Sequence, residues 1–163
     1  MVKVAMIGVG AISGIYLENL TETFREVSLI GVCDLIPERA EGGVAFVKEQ
    51  QKKGFQCVTP KIYKDMYEAF NDPEVDVVLN LTRPYEHYEV TKQALLHGKH
   101  VFSEKPLAAD MEEGDELVEL AKKTGFYLRQ KSNLSFLFAF FFDKSSVSVF
   151  NFLKKFLSNW MLF

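Results

Sequence analysis

An α/β fold, a doubly wound parallel sheet with helices on both faces, is what this sequence predicts. Three observations predict it. Short apolar, β-branched runs alternate with helical stretches, the connections between them are short, and a glycine-rich turn joins the first run to the first helix.

The runs at residues 3–8, 27–34, 75–81, 99–103 and 126–129 read as strands buried on both faces. Residues 58–63 form a weaker extended piece, and Pro60 within it marks an edge strand. The helical stretches fall between them. Residues 11–24 open directly after glycines. Residues 37–53 begin on Pro37 and end at Gly54, the usual asymmetry of helix starts and stops. A short helix over residues 65–70 is stopped by Asn71, Asp72 and Pro73, the next over 86–96 ends at Gly98, and the last over 110–124 ends at Gly125.

Bulk properties narrow the function. A chain of 163 residues buries a sizeable core without disulfides or metals. Its net charge of -3 gives no general basic surface, which disfavours nucleic acid as a partner. Cys33 and Cys57 have no metal-ligand spacing, so no metal site is expected, and Cys33 within a strand run behaves as a small hydrophobe. The apolar start runs straight into glycines and is too short for a signal segment, so the expected location is the reducing cytoplasm.

The sharpest motif is Gly8-Val9-Gly10-Ala11-Ile12-Ser13-Gly14 between the first strand and the first helix, with Asp34 ending the second strand. A pyrophosphate reaches backbone amides only where side chains are missing, and a helix N-terminus offers oriented N–H donors to its charge. Gly8 suits the tight turn and Gly10 the close approach, with Ala11 and Ile12 leading into the helix. Ser13 replaces the third small residue of the pattern, followed directly by Gly14. A carboxylate at Asp34 can accept from both adenosine ribose hydroxyls and repels a 2′-phosphate, which favours NAD over NADP; Arg39 is the group that could reverse that preference. The motif and its setting together predict a Rossmann-type dinucleotide-binding domain over residues 1–130.

A second cluster, Asn80-Leu81-Thr82-Arg83-Pro84 followed by His87, sits at the end of the next long strand. Strand carboxyl ends beside the switch point are where ligands bind in such sheets, so Thr82 and local backbone can meet a cofactor ribose. His87 reads either as a ligand contact or as a surface or capping imidazole. The third cluster is Ser103-Glu104-Lys105-Pro106-Leu107, in which the proline biases Lys105 to extended geometry and holds an ammonium at the sheet's carboxyl edge. Taken by itself, that cluster reads as a turn.

The glycine turn, Cys33-Asp34, Val77-Val78-Leu79-Asn80-Leu81-Thr82 and Gly98-Lys99-His100-Val101-Phe102-Ser103-Glu104-Lys105-Pro106-Leu107-Ala108 together resemble the Gfo/Idh/MocA oxidoreductases through about residue 130. The resemblance implies an NAD(P)-dependent oxidation at a CH–OH group of a sugar, cyclitol or related polyol. It also implies that Lys105 lies between nicotinamide and substrate and assists catalysis, with Glu104 and Pro106 shaping its loop. Members of the family carry a second, substrate-binding domain, which commonly supplies an Asp/His pair.

Residues 131–163 have another character. They carry 4 Lys against one Asp and 9 of the 15 Phe, but none of the 10 Gly or 5 Pro. No family pattern is legible there, and the segment is expected to be a Phe-rich tail, helical or disordered. A membrane span would need about 20 apolar residues, whereas Asp143-Lys144 and Lys154-Lys155 interrupt the apolar stretches. An interfacial amphipathic helix would use Phe150, Leu153, Leu157 and Trp160. A foreign continuation, as from AT-rich DNA read out of frame or through an intron, suits the Phe, Lys, Asn, Ser and Leu bias, and is the favoured reading. Without a substrate domain the chain is expected to bind dinucleotide weakly and turn over little alone; the alternative is a non-catalytic NAD(P)-binding or partner-docking module.

Overall fold

A computed structural model of the chain describes residues 1–130. All three readings of residues 131–163 concern residues outside the described ones. Strands β1 (Val2–Ile7), β2 (Val27–Cys33), β3 (Lys61–Ile62), β4 (Val77–Asn80), β5 (His100–Ser103) and β6 (Leu128–Gln130) alternate with helices α1 (Ser13–Glu18), α2 (Pro37–Lys52), α3 (Met66–Asn71), α4 (His87–Leu96) and α5 (Met111–Thr124). The strands form one sheet in the order β3-β2-β1-β4-β5-β6, and every pairing is parallel. This order reverses between β1 and β4, the switch point of a doubly wound sheet.

Alternation along β1 divides the core into two layers. Val4 and Met6 pack with Tyr16, Leu17, Ala40 and Val47 of α1 and α2. Ala5 and Ile7 pack with Ala69 and Phe70 of α3, Val90 and Leu95 of α4, and Leu117 of α5. Each of the buried Val, Leu, Ile, Met and Phe side chains among them contributes roughly 1.5–3 kcal/mol relative to exposure. The sheet is therefore sandwiched on both faces, and only its two edges and its strand ends remain for chemistry.

Local chemistry sets the helix boundaries. Asp65 caps α3 by accepting the Glu68 amide at 2.9 Å, and Asp110 caps α5 by accepting the Glu113 amide at 2.9 Å. Gly125 closes α5 in the left-handed region at φ 77°. The first helix is shorter than the predicted 11–24. Both the Ser13 amide, at 3.1 Å, and its hydroxyl, at 2.7 Å, donate to the Gly10 carbonyl, so residues 11 and 12 belong to a turn. Beyond Glu18 the helix widens into a π-helical turn, Asn19–Thr23. There Asn19 Nδ2 donates to the Ile15 carbonyl and Thr21 Oγ1 to the Leu17 and Glu18 carbonyls, side-chain bonds that loosen the regular ladder. Residues 84–86 form a 3₁₀ turn before α4, so this helix begins at His87 rather than Glu86.

The weak extended piece at residues 58–63 is an edge strand of two residues, paired with Gly31 and Val32. Pro60 has no amide to donate to the ladder, which accounts for the short length. A register step at Ile30 lies beside it. Gly31 has no Cβ because the Tyr63 ring fills that volume, with Cε2 only 2.1 Å from where a Cβ would stand. Tyr63 then donates its hydroxyl to Asp72 at 2.8 Å. The hydrogen bond from Lys61 is the main cause holding the Asp72 carboxyl down at about 2. Among the described residues no helix is long and apolar enough to cross a membrane.

Candidate functional site

The carboxyl ends of five strands fall in one row. Cys33 pairs with Ile7, Ile7 with Asn80, Asn80 with Ser103, and Ser103 with Gln130. The residues just past these ends, namely Gly8, Asp34, Leu81-Thr82 and Glu104-Lys105, therefore share one edge of the sheet. From β2 to β5 the row spans three inter-strand steps, roughly 14 Å, room for an extended ligand lying across the switch point.

The turn at its centre is held on both sides. The Gly8 amide donates to the Cys33 carbonyl at 2.8 Å and the Leu81 amide to the Ile7 carbonyl at 2.8 Å. Gly8 has φ 93°, and a Cβ there would lie 2.7 Å from the carbonyl carbon and oxygen of Leu81 and 2.8 Å from the Thr82 nitrogen. Only glycine fits, for both conformation and space. Gly10 differs: a Cβ there would meet nothing within 4 Å. Space is thus left free where the motif asks for a close approach by pyrophosphate, and the residues present fit a dinucleotide. Ala11 is exposed beside it, and so is Ile12. Ser13 is buried, and its two bonds to Gly10 close the turn, so the departure from the small-residue pattern has a constructive role.

Asp34 is placed as expected at the end of β2. Its side chain is only 7% exposed, because Oδ2 accepts the Val9 amide at 2.6 Å and Oδ1 accepts the Ile36 amide at 2.8 Å. The carboxylate therefore ties the glycine turn to the start of α2 while each oxygen retains a further lone pair. Arg39 Nη1 lies 4.0 Å from Asp34 Oδ1, with its side chain half exposed. Cys33, next to Asp34, is pushed up to about 11 by burial first and then by Asp65 and Asp34, which keeps its thiol protonated.

After β4, Asn80 is buried and organises its surroundings. Its Nδ2 donates to the His87 carbonyl at 3.0 Å and to Thr91 Oγ1 at 3.0 Å. Its Oδ1 accepts the Thr82 hydroxyl at 2.6 Å. Thr82 is partly exposed at the row, within reach of a ligand. His87 is only 1% exposed, which corrects its reading as a surface imidazole. Its Nε2 lies 3.0 Å from the Thr82 carbonyl and its Nδ1 lies against the Pro106 carbonyl. A neutral ring donates its single N–H to one of these two carbonyls, according to tautomer, and packs against the other. Both ring nitrogens thus face protein groups, not the open edge where a cofactor would lie.

After β5, Glu104 is 7% exposed. Its Oε1 accepts the Tyr16 hydroxyl at 2.6 Å and its Oε2 accepts the Lys105 amide at 3.1 Å. Burial, and then the Glu104 carboxylate, push the Tyr16 phenol far above its usual range, so it remains a donor. Lys105 is exposed and is followed by a cis peptide bond to Pro106. Two members of this site carried no role in the sequence reading, Tyr16 and Asn80. Helical spacing marks Tyr16 as a core residue with Leu17 and Leu20, but no local signal pairs it with a glutamate 88 residues away.

Comparison with known proteins agrees with this geometry. Residues 2–131 match the GFO_IDH_MocA family, described as an oxidoreductase family with an NAD-binding Rossmann fold. Inositol 2-dehydrogenase/D-chiro-inositol 3-dehydrogenase of Lactiplantibacillus plantarum is 35% identical over 123 residues, 76% of this chain and 33% of that protein. Myo-inositol 2-dehydrogenase of Thermotoga maritima is 31% identical over 137 residues, covering 80% and 38%. Among solved structures, UDP-N-acetylglucosamine 3-dehydrogenase GnnA from Acidithiobacillus ferrooxidans superposes with a TM-score of 0.65 at 26% identity, over 79% of this chain and 38% of that one. Apo scyllo-inositol dehydrogenase from Lactobacillus casei has the same fold, with a TM-score of 0.68 at 20% identity over 80% and 36%. The chain spans about a third of the length of the curated relatives it matches. It belongs to the Gfo/Idh/MocA oxidoreductase family and carries that family's NAD-binding Rossmann domain.

Proposed function

We propose that this chain holds NAD, in preference to NADP, for oxidation at a CH–OH group of a cyclitol or related polyol. The single observation that carries the cofactor reading is the unfilled space at Gly10 beside the buried Asp34 carboxylate. The Val9–Ile12 backbone receives the pyrophosphate at the start of α1. Asp34 accepts from the adenosine ribose and repels a 2′-phosphate. Arg39 weakens that preference least where it stays beside the Asp34 carboxylate. Thr82 borders the ribose path from β4, and Lys105 presents its ammonium at the far end of the row, where it can hydrogen-bond a reacting hydroxyl and move its proton. Bound NAD would supply hydride acceptance; residues of this chain orient the ring and the alcohol. The inositol dehydrogenases among its relatives support the substrate class.

We further propose residues 1–130 as the dinucleotide-binding unit, with residues 131–163 a separate segment. Titration with NADH and NADPH, followed by nicotinamide fluorescence, tests the cofactor reading. Tighter binding of NADH, reversed or levelled in Asp34→Ser, is expected; equal affinity in the unaltered chain overturns the NAD preference. Addition of myo-inositol with NAD, read at the reduced nicotinamide band, then tests the substrate class. Binding without reduction of NAD supports the non-catalytic reading of this chain.

A further inference from the structure

The loop that carries Lys105 is anchored from both faces of the sheet. On the α1 face, Tyr16 donates to Glu104 Oε1 at 2.6 Å, and Glu104 Oε2 accepts the amide of Lys105 itself. On the α4 face, His87 lies against the carbonyl of Pro106, the residue on the other side of Lys105. The Glu104 amide fixes the base of the loop by donating to the Asn80 carbonyl at 2.9 Å. Lys105 is exposed, yet its two neighbours in sequence are held by side chains that are at most 1% exposed, Glu104 bonded by Tyr16 and Pro106 packed against by His87.

Both anchors also begin at the glycine turn. Tyr16 stands one turn along the helix whose first residue, Ser13, closes on Gly10. His87 rests through Nε2 on the carbonyl of Thr82, the residue whose nitrogen occupies the space denied to a Gly8 side chain. Any displacement of the turn or of Thr82 is carried by packed, hydrogen-bonded groups to the two residues flanking Lys105. Packed interiors transmit such shifts because they have little free volume.

We infer that Tyr16 and His87 are positioning residues that clamp the Lys105 loop and tie it to the dinucleotide turn. Neither touches the reacting atoms; each acts through a neighbour of Lys105. The ligand side of this inference rests on the proposed placement of nicotinamide near Lys105, whereas the loop side does not.

Two measurements on the full chain separate them. Amide hydrogen exchange at Lys105, whose amide Glu104 Oε2 accepts, is expected without ligand to accelerate roughly ten-fold or more in Tyr16→Phe and in His87→Phe, as the loop loses a buried contact. Unchanged exchange in Tyr16→Phe, which removes one oxygen and keeps the ring, overturns the clamp even if His87→Phe fails to fold. Affinities for NADH and for ADP-ribose, which lacks the nicotinamide, are then compared. A loss confined to NADH, about ten-fold, with ADP-ribose nearly unmoved, supports positioning at the nicotinamide end. Equal losses for both ligands mean a merely structural role and overturn the inference. Failure of the unaltered chain to bind NADH counts against the proposed function, and the exchange result still decides the clamp.

Discussion

Gly8 and Gly10 stand two residues apart in one turn, and the structure assigns them opposite sensitivities. In Gly8→Ala the new Cβ meets backbone atoms of Leu81 and Thr82 at 2.7–2.8 Å, and the residue must keep φ near 93°. Left-handed backbone costs an L-residue roughly 1–2 kcal/mol, and forced overpacking roughly 1–3 kcal/mol more. The sum, about 2–5 kcal/mol, lowers the melting temperature by roughly 6–15 °C for a chain of this size. Gly10→Ala meets nothing within 4 Å. It should leave stability unchanged or raise it by up to about 1 kcal/mol through a less flexible unfolded chain. Its methyl instead stands in the space left for pyrophosphate, and a loss of at least about ten-fold in NADH affinity is expected. Thermal unfolding and fluorescence titration on both variants check the pair. If Gly10→Ala bound NADH as tightly as the unaltered chain, or lost as much stability as Gly8→Ala, the account of this turn would be refuted.

Other predictions concern the frame around the site. Burial depresses His100 to about 4, and its Nδ1 accepts the Tyr127 amide at 2.9 Å. Because the unfolded chain takes up the proton first, near pH 6.5, the His100 contribution is complete above that pH. It is lost as pH falls through about 4, by up to about 3 kcal/mol. Urea midpoints at pH 7.5 and pH 4.5 should fall more steeply for the unaltered chain than for His100→Asn; parallel falls would contradict this. Gly31→Ala drives a methyl into the Tyr63 ring and should cost roughly 1–3 kcal/mol, measured by urea unfolding. The double variant Gly31→Ala with Tyr63→Ala should regain part of that loss of packing room relative to Tyr63→Ala alone, and no coupling between the two sites would count against a direct clash.

The strand–helix order and the glycine turn were legible because they are local. Buried runs, Pro37 and Gly54 at the ends of α2, and Gly125 after α5 all act within a few residues. The row of strand ends also follows from topology, because a doubly wound sheet brings the strand carboxyl ends together at its switch point. Three features did not follow. The π-helical turn at Asn19–Thr23 arises from side-chain bonds that compete with the ladder, which apolar spacing does not register. The His87 site depends on the Pro106 carbonyl, 19 residues away. The Tyr16–Glu104 bond joins α1 to the far side of the switch point. Spacing alone marks a core tyrosine and a turn glutamate; only the fold shows that they meet.

The central claim is that one edge of this sheet, from Asp34 across Gly10 to Lys105, receives the dinucleotide. The most direct measurement is amide chemical-shift mapping of the isotope-labelled chain during NADH titration. Saturable shifts are expected at Val9, Gly10, Ala11 and Ile12, accompanied by Asp34, Thr82 and Lys105, with the opposite edge around Lys61, Asp72 and Lys99 unmoved. Saturable shifts centred on that opposite edge, or none at the glycine turn at saturating NADH, would contradict that claim.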